Sequence, residues 1–176
     1  LVIAYGYHAL AFAAAHGDEI FPHAPIVFSA VLHDQLSRLK KHKELTGSLL
    51  KIDYLGLLNT ALNNHPGTRH VVVISGSSKA GRLMEGQIRE VYEPYKDKYD
   101  FIYLGDLAVR DMLPRLAKLP EHTVVIYYYF ALDGNGQEFK PWQAASMVSE
   151  AANAPTYGMA DSYMGHGIVG GALVSW

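Results

Sequence analysis

Runs of apolar residues alternate with amphipathic stretches along most of the chain, and this alternation predicts an α/β fold. The clearest example spans residues 70–78, with the sequence HVVVISGSS. Residues 71–74 are all β-branched and lack polar alternation, which is typical of a strand buried on both faces. A turn of small residues follows at 75–78. Beyond it, apolar residues recur at helical spacing, at Met84, Ile88, Val91 and Tyr95.

The same strand–turn–helix unit recurs, so the strands are expected to run parallel. We predict strands at residues 1–5, 25–31, 46–52, 71–74, 101–104, 123–129 and 155–158. Helices are expected at residues 8–16, from Asp53 to Pro66, at 79–95 and at 141–152. Gly17 is expected to end the first of them. A further helix either begins at a cap on Asp106 and kinks at Pro114, or begins near Asp111.

Residues 33–44, HDQLSRLKKHKE, interrupt this pattern, because they carry most of the local charge and offer no strong apolar face. We place a domain boundary there and interpret residues 32–48 as linker and hinge. The chain opens directly on an apolar strand without capping residues, which indicates an excised piece of a longer chain.

Composition narrows the class of protein without identifying it. Hydrophobic residues make up 49% of the chain, so a full core can form and disorder is disfavoured. The net charge of -2 gives no basic excess of the kind that indicates nucleic-acid binding. The absence of cysteine excludes disulfides and thiolate metal sites. Residues 1–15 are apolar, but they lack a basic start and are shorter than the about 20 residues that span a bilayer.

Ligands of open parallel sheets bind beyond the carboxyl ends of the strands, where the strand order switches. This rule nominates Tyr5, Gly6, Tyr7, Ser29, residues 75–78, Gly105, Asp106, Tyr129, Phe130 and residues 161–163.

Several of these nominations have a plain structural alternative. Residues 75–78 either hold an anion through backbone N–H groups or cap the helix that follows. Alternation along the strand places Tyr127 and Tyr129 on one face and Tyr128 and Phe130 on the other, so at least one pair belongs to the core. Asp106 and Asp161 are either anchors for a ligand or helix caps.

Signatures of catalysis are missing from the sequence. The nine histidines contain no HExxH pair, and the DGNG sequence at 133–136 lacks the EF-hand spacing, so we interpret it as a turn. No GxSxG motif occurs, and no GxGxxG motif follows a strand. This pattern favours a binding module without cofactor over an enzyme.

A series of short phrases, taken in order, carries a family resemblance. They are IAYG at 3–6 before an alanine-rich helix, FP and PIVF within 21–28, NHPGTR leading into VVVISG at 64–76, YLGDL at 103–107, LP and TVV within 119–125, AANAP and YG within 151–158, and GIVGG at 167–171. Their order resembles the ABC-transporter substrate-binding-protein-like family, in the version that forms the extracytoplasmic sensor region of bacterial histidine kinases. The resemblance covers nearly the whole chain.

The resemblance implies a type I periplasmic-binding fold, in which two α/β lobes joined by hinge strands close on a ligand. Residues 1–31 would end the first lobe, 32–52 would be linker and hinge, 53–163 the second lobe and 164–176 the return to the first, whose first half would be missing. With no catalytic residue and no metal ligand, the cleft would draw on Tyr5, Gly6, Tyr7, Ser29, Ser75, Ser77, Tyr129, Phe130, Asp161 and Tyr163.

The function implied is the sensing of a small molecule on the periplasmic side of the bacterial inner membrane, with any kinase activity outside this region. The ligand would be an amino acid, an organic acid or a sugar. No nucleic acid is expected, the membrane would be reached only through regions outside this chain, and a homodimer is left open. The alternatives are a solute-binding protein of an ABC transporter and a hydrolytic α/β enzyme that uses Ser77.

Overall fold

The computed structural model describes residues 1–37, 39 and 45–175. The chain divides into two compact units, Leu1–Ile52 and Asp53–Ser175. The first contains β1 (Val2–Tyr5), α1 (Tyr7–Ile20), β2 (Ile26–Leu32), α2 (His33–Ser37) and β3 (Leu45–Leu50). The second contains α3 (Tyr54–Asn64), β4 (His70–Ile74), α4 (Lys79–Tyr92), β5 (Asp100–Tyr103), α5 (Val109–Leu116), β6 (Thr123–Tyr127), α6 (Pro141–Ala151) and β7 (Thr156–Gly158).

The described part of the first unit is a parallel sheet in the order β1-β2-β3, packed against α1. Helix α1 continues through Gly17 to Ile20, so the prediction that Gly17 ends this helix is wrong. Gly17 lies on the buried face of the helix together with Leu10 and Ala13. Gly17 is therefore a buried position inside the helix and not its end.

The predicted linker contains regular structure where it is described. Helix α2 follows β2 without a break, and β3 pairs in parallel with β2. The pairing shifts register between Phe28 and Val31, where Ala30 has a positive φ of 59°, as in a β-bulge. Residues 38 and 40–44 of the linker, with His42 among them, lie outside the described residues, and the hinge stays a prediction.

The second unit is a parallel sheet in the order β5-β4-β6-β7 with helices between successive strands, which confirms the predicted α/β class. Strand β4 pairs with β5 on one side and β6 on the other, and residues Val71 to Ile74 are 0% exposed. A strand with parallel neighbours on both sides and helices above and below has no polar face. An unbroken β-branched run therefore predicts it well.

Two helices of the second unit begin at side-chain caps. Asp53 caps α3 by accepting the N–H of Gly56 at 2.8 Å, as predicted. Ser78 caps α4 by accepting the N–H of Gly81 at 3.0 Å. Helix α4 then gives way to a 3₁₀ turn, Glu93–Tyr95, where a continuous helix was expected, because Pro94 has no N–H to continue α-helical bonding.

Helix α5 begins at Val109, between the two starts that the sequence predicted. Its capping group is the Asp133 carboxylate, whose Oδ2 accepts the Val109 N–H at 3.0 Å. The prediction that Asp106 caps this helix is wrong, and Asp106 is exposed instead. A cap supplied from another loop leaves no trace in the local sequence.

After β7 the chain makes a 3₁₀ turn, Asp161–Tyr163, and the segment that follows pairs in parallel with β7 through an isolated bridge between Tyr157 and Gly170. The N–H of Gly158 donates to the Gly170 oxygen at 2.9 Å. Residues 164–175 thus lie in the second unit, while Trp176 lies outside the described residues. Their return to a first lobe refers to a larger two-lobed protein and stays a prediction.

None of the helices in the described ranges is both long enough and apolar enough to cross a bilayer.

Two glycines of α4 provide a matched test of how this helix packs against residues 75–76. Gly86 is exposed and a Cβ there would meet nothing within 4 Å, whereas a Cβ at buried Gly81 would collide with the Ser75 carbonyl oxygen. We expect Gly86→Ala to raise the free energy of unfolding by about 0.5–1 kcal/mol, because alanine loses less backbone entropy. Gly81→Ala should lower it by about 1–3 kcal/mol through overpacking. Urea denaturation measures both, and shifts of the same sign would contradict the contact between α4 and residues 75–76.

Candidate functional site

The carboxyl ends of the strands in the second unit place four loops along one edge of its sheet. The strand order changes direction between β4 and β6, because β5 lies on one side of β4 while β6 and β7 lie on the other. Ligands of open α/β sheets bind at such a switch point. The loops that flank it are residues 75–78 after β4 and 128–132 after β6.

The crevice at this switch point is filled by the chain itself. Gly76 has a φ of +67°, and a Cβ there would lie 3.0 Å from Cα of Phe130 and 3.1 Å from the Leu132 oxygen. The N–H of Ser77 donates to the same Leu132 oxygen at 2.8 Å, and its hydroxyl faces the carbonyl oxygens of Leu132 and Asp133. The hydroxyl of Ser77 is therefore committed to the backbone of the neighbouring loop.

Asp133 anchors this neighbouring loop and is 3% exposed. Its Oδ1 accepts the N–H groups of Asn135 and Gln137 at 2.9 Å each, and its Oδ2 accepts that of Val109 at 3.0 Å. Burial opposes ionisation of this carboxyl, but the N–H groups of Val109, Gln137 and Asn135 outweigh burial and hold its pKa below the usual range. The DGNG sequence forms a turn, as predicted, and its aspartate also caps α5.

A polar network beneath the β4 loop was missed at the sequence level. The Ser75 hydroxyl is 0% exposed and donates to Oε2 of Glu85 at 2.8 Å. The other carboxylate oxygen pairs with Arg89 at 2.7 Å, and the Arg89 guanidinium lies 3.4 Å above the Tyr103 ring. Burial raises the pKa of Tyr103, and the charge of Arg89 opposes that rise. The i,i+4 spacing of Glu85 and Arg89 was the sequence feature that could have predicted the ion pair of this network.

The tyrosine-rich end of β6 belongs mainly to the core. The hydroxyl of Tyr128 is hydrogen-bonded to that of Tyr92, and Tyr92 donates to the Tyr54 carbonyl oxygen at 3.0 Å. The Tyr127 hydroxyl donates to the Pro141 oxygen at 2.5 Å. Burial raises the pKa of the phenols on both faces of β6, which are those of Tyr92 and Tyr128 and those of Tyr127 and Tyr163.

The predicted ligand residues of this edge differ in what they can offer a ligand. Phe130 is 0% exposed, with its ring 5.8 Å from that of Phe139, and Tyr163 is 3% exposed and donates to the Tyr128 oxygen at 3.0 Å. Tyr129 is half-buried and Asp161, which accepts from the Ser175 hydroxyl at 2.7 Å, is partly exposed. Tyr129 and Asp161 are therefore the predicted side chains best placed to meet a ligand here.

The four predicted residues of the first unit lie together at the carboxyl end of β1, beside the middle of β2. Tyr5 aligns with Ser29 across β1 and β2 and is 62% exposed. Gly6 has a φ of +81°, and its N–H donates to the Ser29 oxygen at 2.9 Å. Tyr7 opens α1, and the Ser29 hydroxyl is 3.2 Å from that of Ser48. A role of all ten residues in ligand binding stays a prediction.

The described residues offer little support for hydrolysis by Ser77, because backbone carbonyls cannot act as a base. A serine–histidine hydrogen bond does occur elsewhere, between Ser146 Oγ and His166 Nδ1 at 2.8 Å. Its serine lies in the middle of α6, and no carboxylate in the described ranges is hydrogen-bonded to this imidazole. Within the same ranges no group of three or more histidine and acidic side chains could hold a metal ion.

No protein-family model and no curated protein matches this chain. Among solved structures, it is similar to an ABC domain in complex with L-Trp from Streptococcus pneumonia, with a TM-score of 0.60 and 13% identity over 97% of this chain and 57% of that chain. It is also similar to a conserved domain protein from Vibrio cholerae O1 biovar eltor, with a TM-score of 0.59 and 18% identity over 96% of this chain and 56% of that one. The chain thus spans little more than half the length of either. At these identities the similarity establishes the fold alone.

The capping role of Asp133 predicts a pH-dependent stability. We expect Asp133→Ala to lower the free energy of unfolding at neutral pH by about 2–4 kcal/mol, since backbone N–H groups lose a buried acceptor. Because the folded-state pKa is lowered, the ionised carboxylate stabilises the fold above its ordinary pKa of about 4, and this contribution is lost as the pH falls through the folded-state value.

The difference in stability between wild type and Asp133→Asn should therefore be largest at neutral pH and shrink in acid. Urea denaturation at pH 7 and pH 3 measures it. Asp97→Asn, the same change at an exposed position, is the matched control and should show little difference at either pH. A difference for Asp133→Asn that is equal at both values would contradict the assigned role.

Proposed function

We propose that this chain is the ligand-sensing region of an extracytoplasmic sensor in a bacterial signal-transduction protein, such as a histidine kinase. One observation carries the proposal. The carboxyl ends of the strands in the second unit lead into loops that hold predicted ligand residues, on a fold shared with a domain that was solved in complex with L-Trp. Binding of a small molecule to these loops would be the signal, with no resident cofactor and no catalytic residue.

The character of these loops suits binding better than turnover. In the second unit Tyr129 presents aromatic surface. In the first unit Tyr5 does the same, and Gly6 leaves the start of α1 open, since a Cβ there would meet nothing within 4 Å. The hydrogen-bonded loops behind Tyr129 are already ordered, which reduces the entropy cost of binding. An amino acid, an organic acid or a sugar has the size and the mixed polarity that such a surface recognises.

A second function, transport of a solute, draws on the same observation, because one of the similar structures is named as an ABC domain. Both functions use the same binding step and differ in what the rest of the gene encodes. A kinase or cyclase region in the same gene supports sensing. A gene that encodes a binding protein alone beside transporter genes favours transport.

The binding step can be tested by thermal denaturation with L-Trp, the other amino acids, organic acids and sugars. A ligand at 100 times its Kd should stabilise the fold by about 2.7 kcal/mol, which raises the Tm by about 5–10 °C. The screen is run on residues 1–176 and on the complete product of the gene. If no compound raises the Tm of either, the proposal is wrong.

A variant pair locates the site once a ligand is found. Tyr129→Ala should weaken binding tenfold or more, about 1.4 kcal/mol, because an aromatic contact is removed. Tyr99→Ala makes the same truncation just before β5, at the opposite edge of the sheet, and should leave the Kd unchanged. Calorimetric titration measures both, and equal Kd values for the two variants would place the site elsewhere.

A further inference from the structure

A second concave surface lies at the opposite edge of the same sheet, among the loops that lead into β4, β6 and β7. These loops, with lining residues at 64–68, 119–123 and 153–155, surround an open depression of about 430 Å³. That volume falls in the range of about 300–1,000 Å³ that small-molecule sites occupy. None of the ten predicted ligand residues belongs to its lining.

The walls of this depression are held by hydrogen bonds between and within the loops. Asn153 Nδ2 donates to the Leu119 oxygen at 3.0 Å, and its Oδ1 accepts the Leu119 N–H at 3.1 Å. The Thr68 hydroxyl donates to the His65 oxygen at 2.6 Å. Each loop also contains one proline, at position 66, 120 or 155, which fixes φ and removes an N–H donor. The depression is therefore formed before any ligand arrives.

Three polar side chains of the lining have no hydrogen-bond or ionic partner among the residues that the structure describes. They are those of Asn64, Glu121 and His122, and all three residues are exposed. The other imidazole of the lining, that of His65, is 3.1 Å from the Tyr157 hydroxyl. Asn64, Glu121 and His122 thus combine an amide, a carboxylate and an imidazole on one surface.

His122 holds a left-handed backbone conformation that glycine would adopt at lower cost. Its φ is +63°, in the left-handed region, which costs a residue other than glycine about 1 kcal/mol or more. Its carbonyl oxygen accepts the N–H groups of Arg69 at 2.8 Å and His70 at 3.2 Å, and a glycine would accept them equally well. A Cβ at Gly67 would lie 3.5 Å from His122 Nδ1, so the two loops meet closely at this point.

We propose that this depression is a second binding site, and that its ligand is a small organic amine in the ammonium form. Glu121 is the only formally charged side chain in the lining when both imidazoles are neutral. On Asn64 and Glu121 three oxygen atoms accept hydrogen bonds and one nitrogen donates them, so the complementary ligand brings N–H donors and positive charge. A carboxylate ligand would instead meet like charge at Glu121.

Titration with 1,4-diaminobutane, followed through the backbone amide resonances of the whole chain, tests this site. We expect saturable shifts confined to residues 64–68, 119–123 and 153–155. Glu121→Gln should weaken binding at least tenfold. Glu90→Gln, the same change at an exposed position of α4, is the control and should leave the affinity unchanged.

His122→Gly separates binding from stability, because it should weaken amine binding while raising the free energy of unfolding as the strain is relieved. Unchanged affinity in Glu121→Gln or in His122→Gly would overturn the proposal. Tighter binding of acetate or glucose at the same amides, or shifts spread over amides outside the three loops, would overturn it as well. Tyr129→Ala should leave amine binding intact, so this site and the ligand-sensing function can fail separately.

Discussion

The hydrogen bonds of the Asp133 carboxylate hold the carboxyl-terminal edge of the second unit together. They join the loop after β6 to the start of α5, while Ser77 joins the same loop to the start of α4. The backbones can approach this closely because glycine stands at the crossing points, and a Cβ at Gly134 would collide with the Asp106 carbonyl oxygen. A ligand at this edge therefore meets side chains that project from packed loops, rather than an open hole between strands.

The two central strands of the second unit, β4 and β6, were predictable because each contains a continuous apolar run that only a sheet covered on both faces can bury. The same reasoning failed at Gly17, whose role depends on what α1 packs against. It also failed at Asp106, because the cap of α5 comes from Asp133 in a different loop. Local sequence shows the periodicity of a helix or strand, but it does not show which distant group caps the end of a helix.

The candidate site shows the same limit. The strand-end rule nominated Ser75 and Ser77 in the loop after β4, but their partners are Glu85 in α4 and the backbone after β6. Phe130 and Tyr163 were nominated by position and are buried by the chain itself. The position of a residue at a strand end predicts where its side chain starts. Whether that side chain can contact a ligand depends on how the neighbouring loops pack over it.

The central position of β4 has a consequence for how the chain is made. In the pairing of β4 with β6, His70 aligns with Thr123. The hydrogen-bonding groups along this edge of β4 therefore have no partner until a long stretch of later sequence has emerged from the ribosome. Until then an uncharged, β-branched segment without proline is exposed, which is the kind of segment that pairs with other chains. Slow, non-local pairing of this type makes nascent molecules prone to aggregate, so the yield of soluble protein should depend on synthesis rate and on chaperones that shield the VVVI strand.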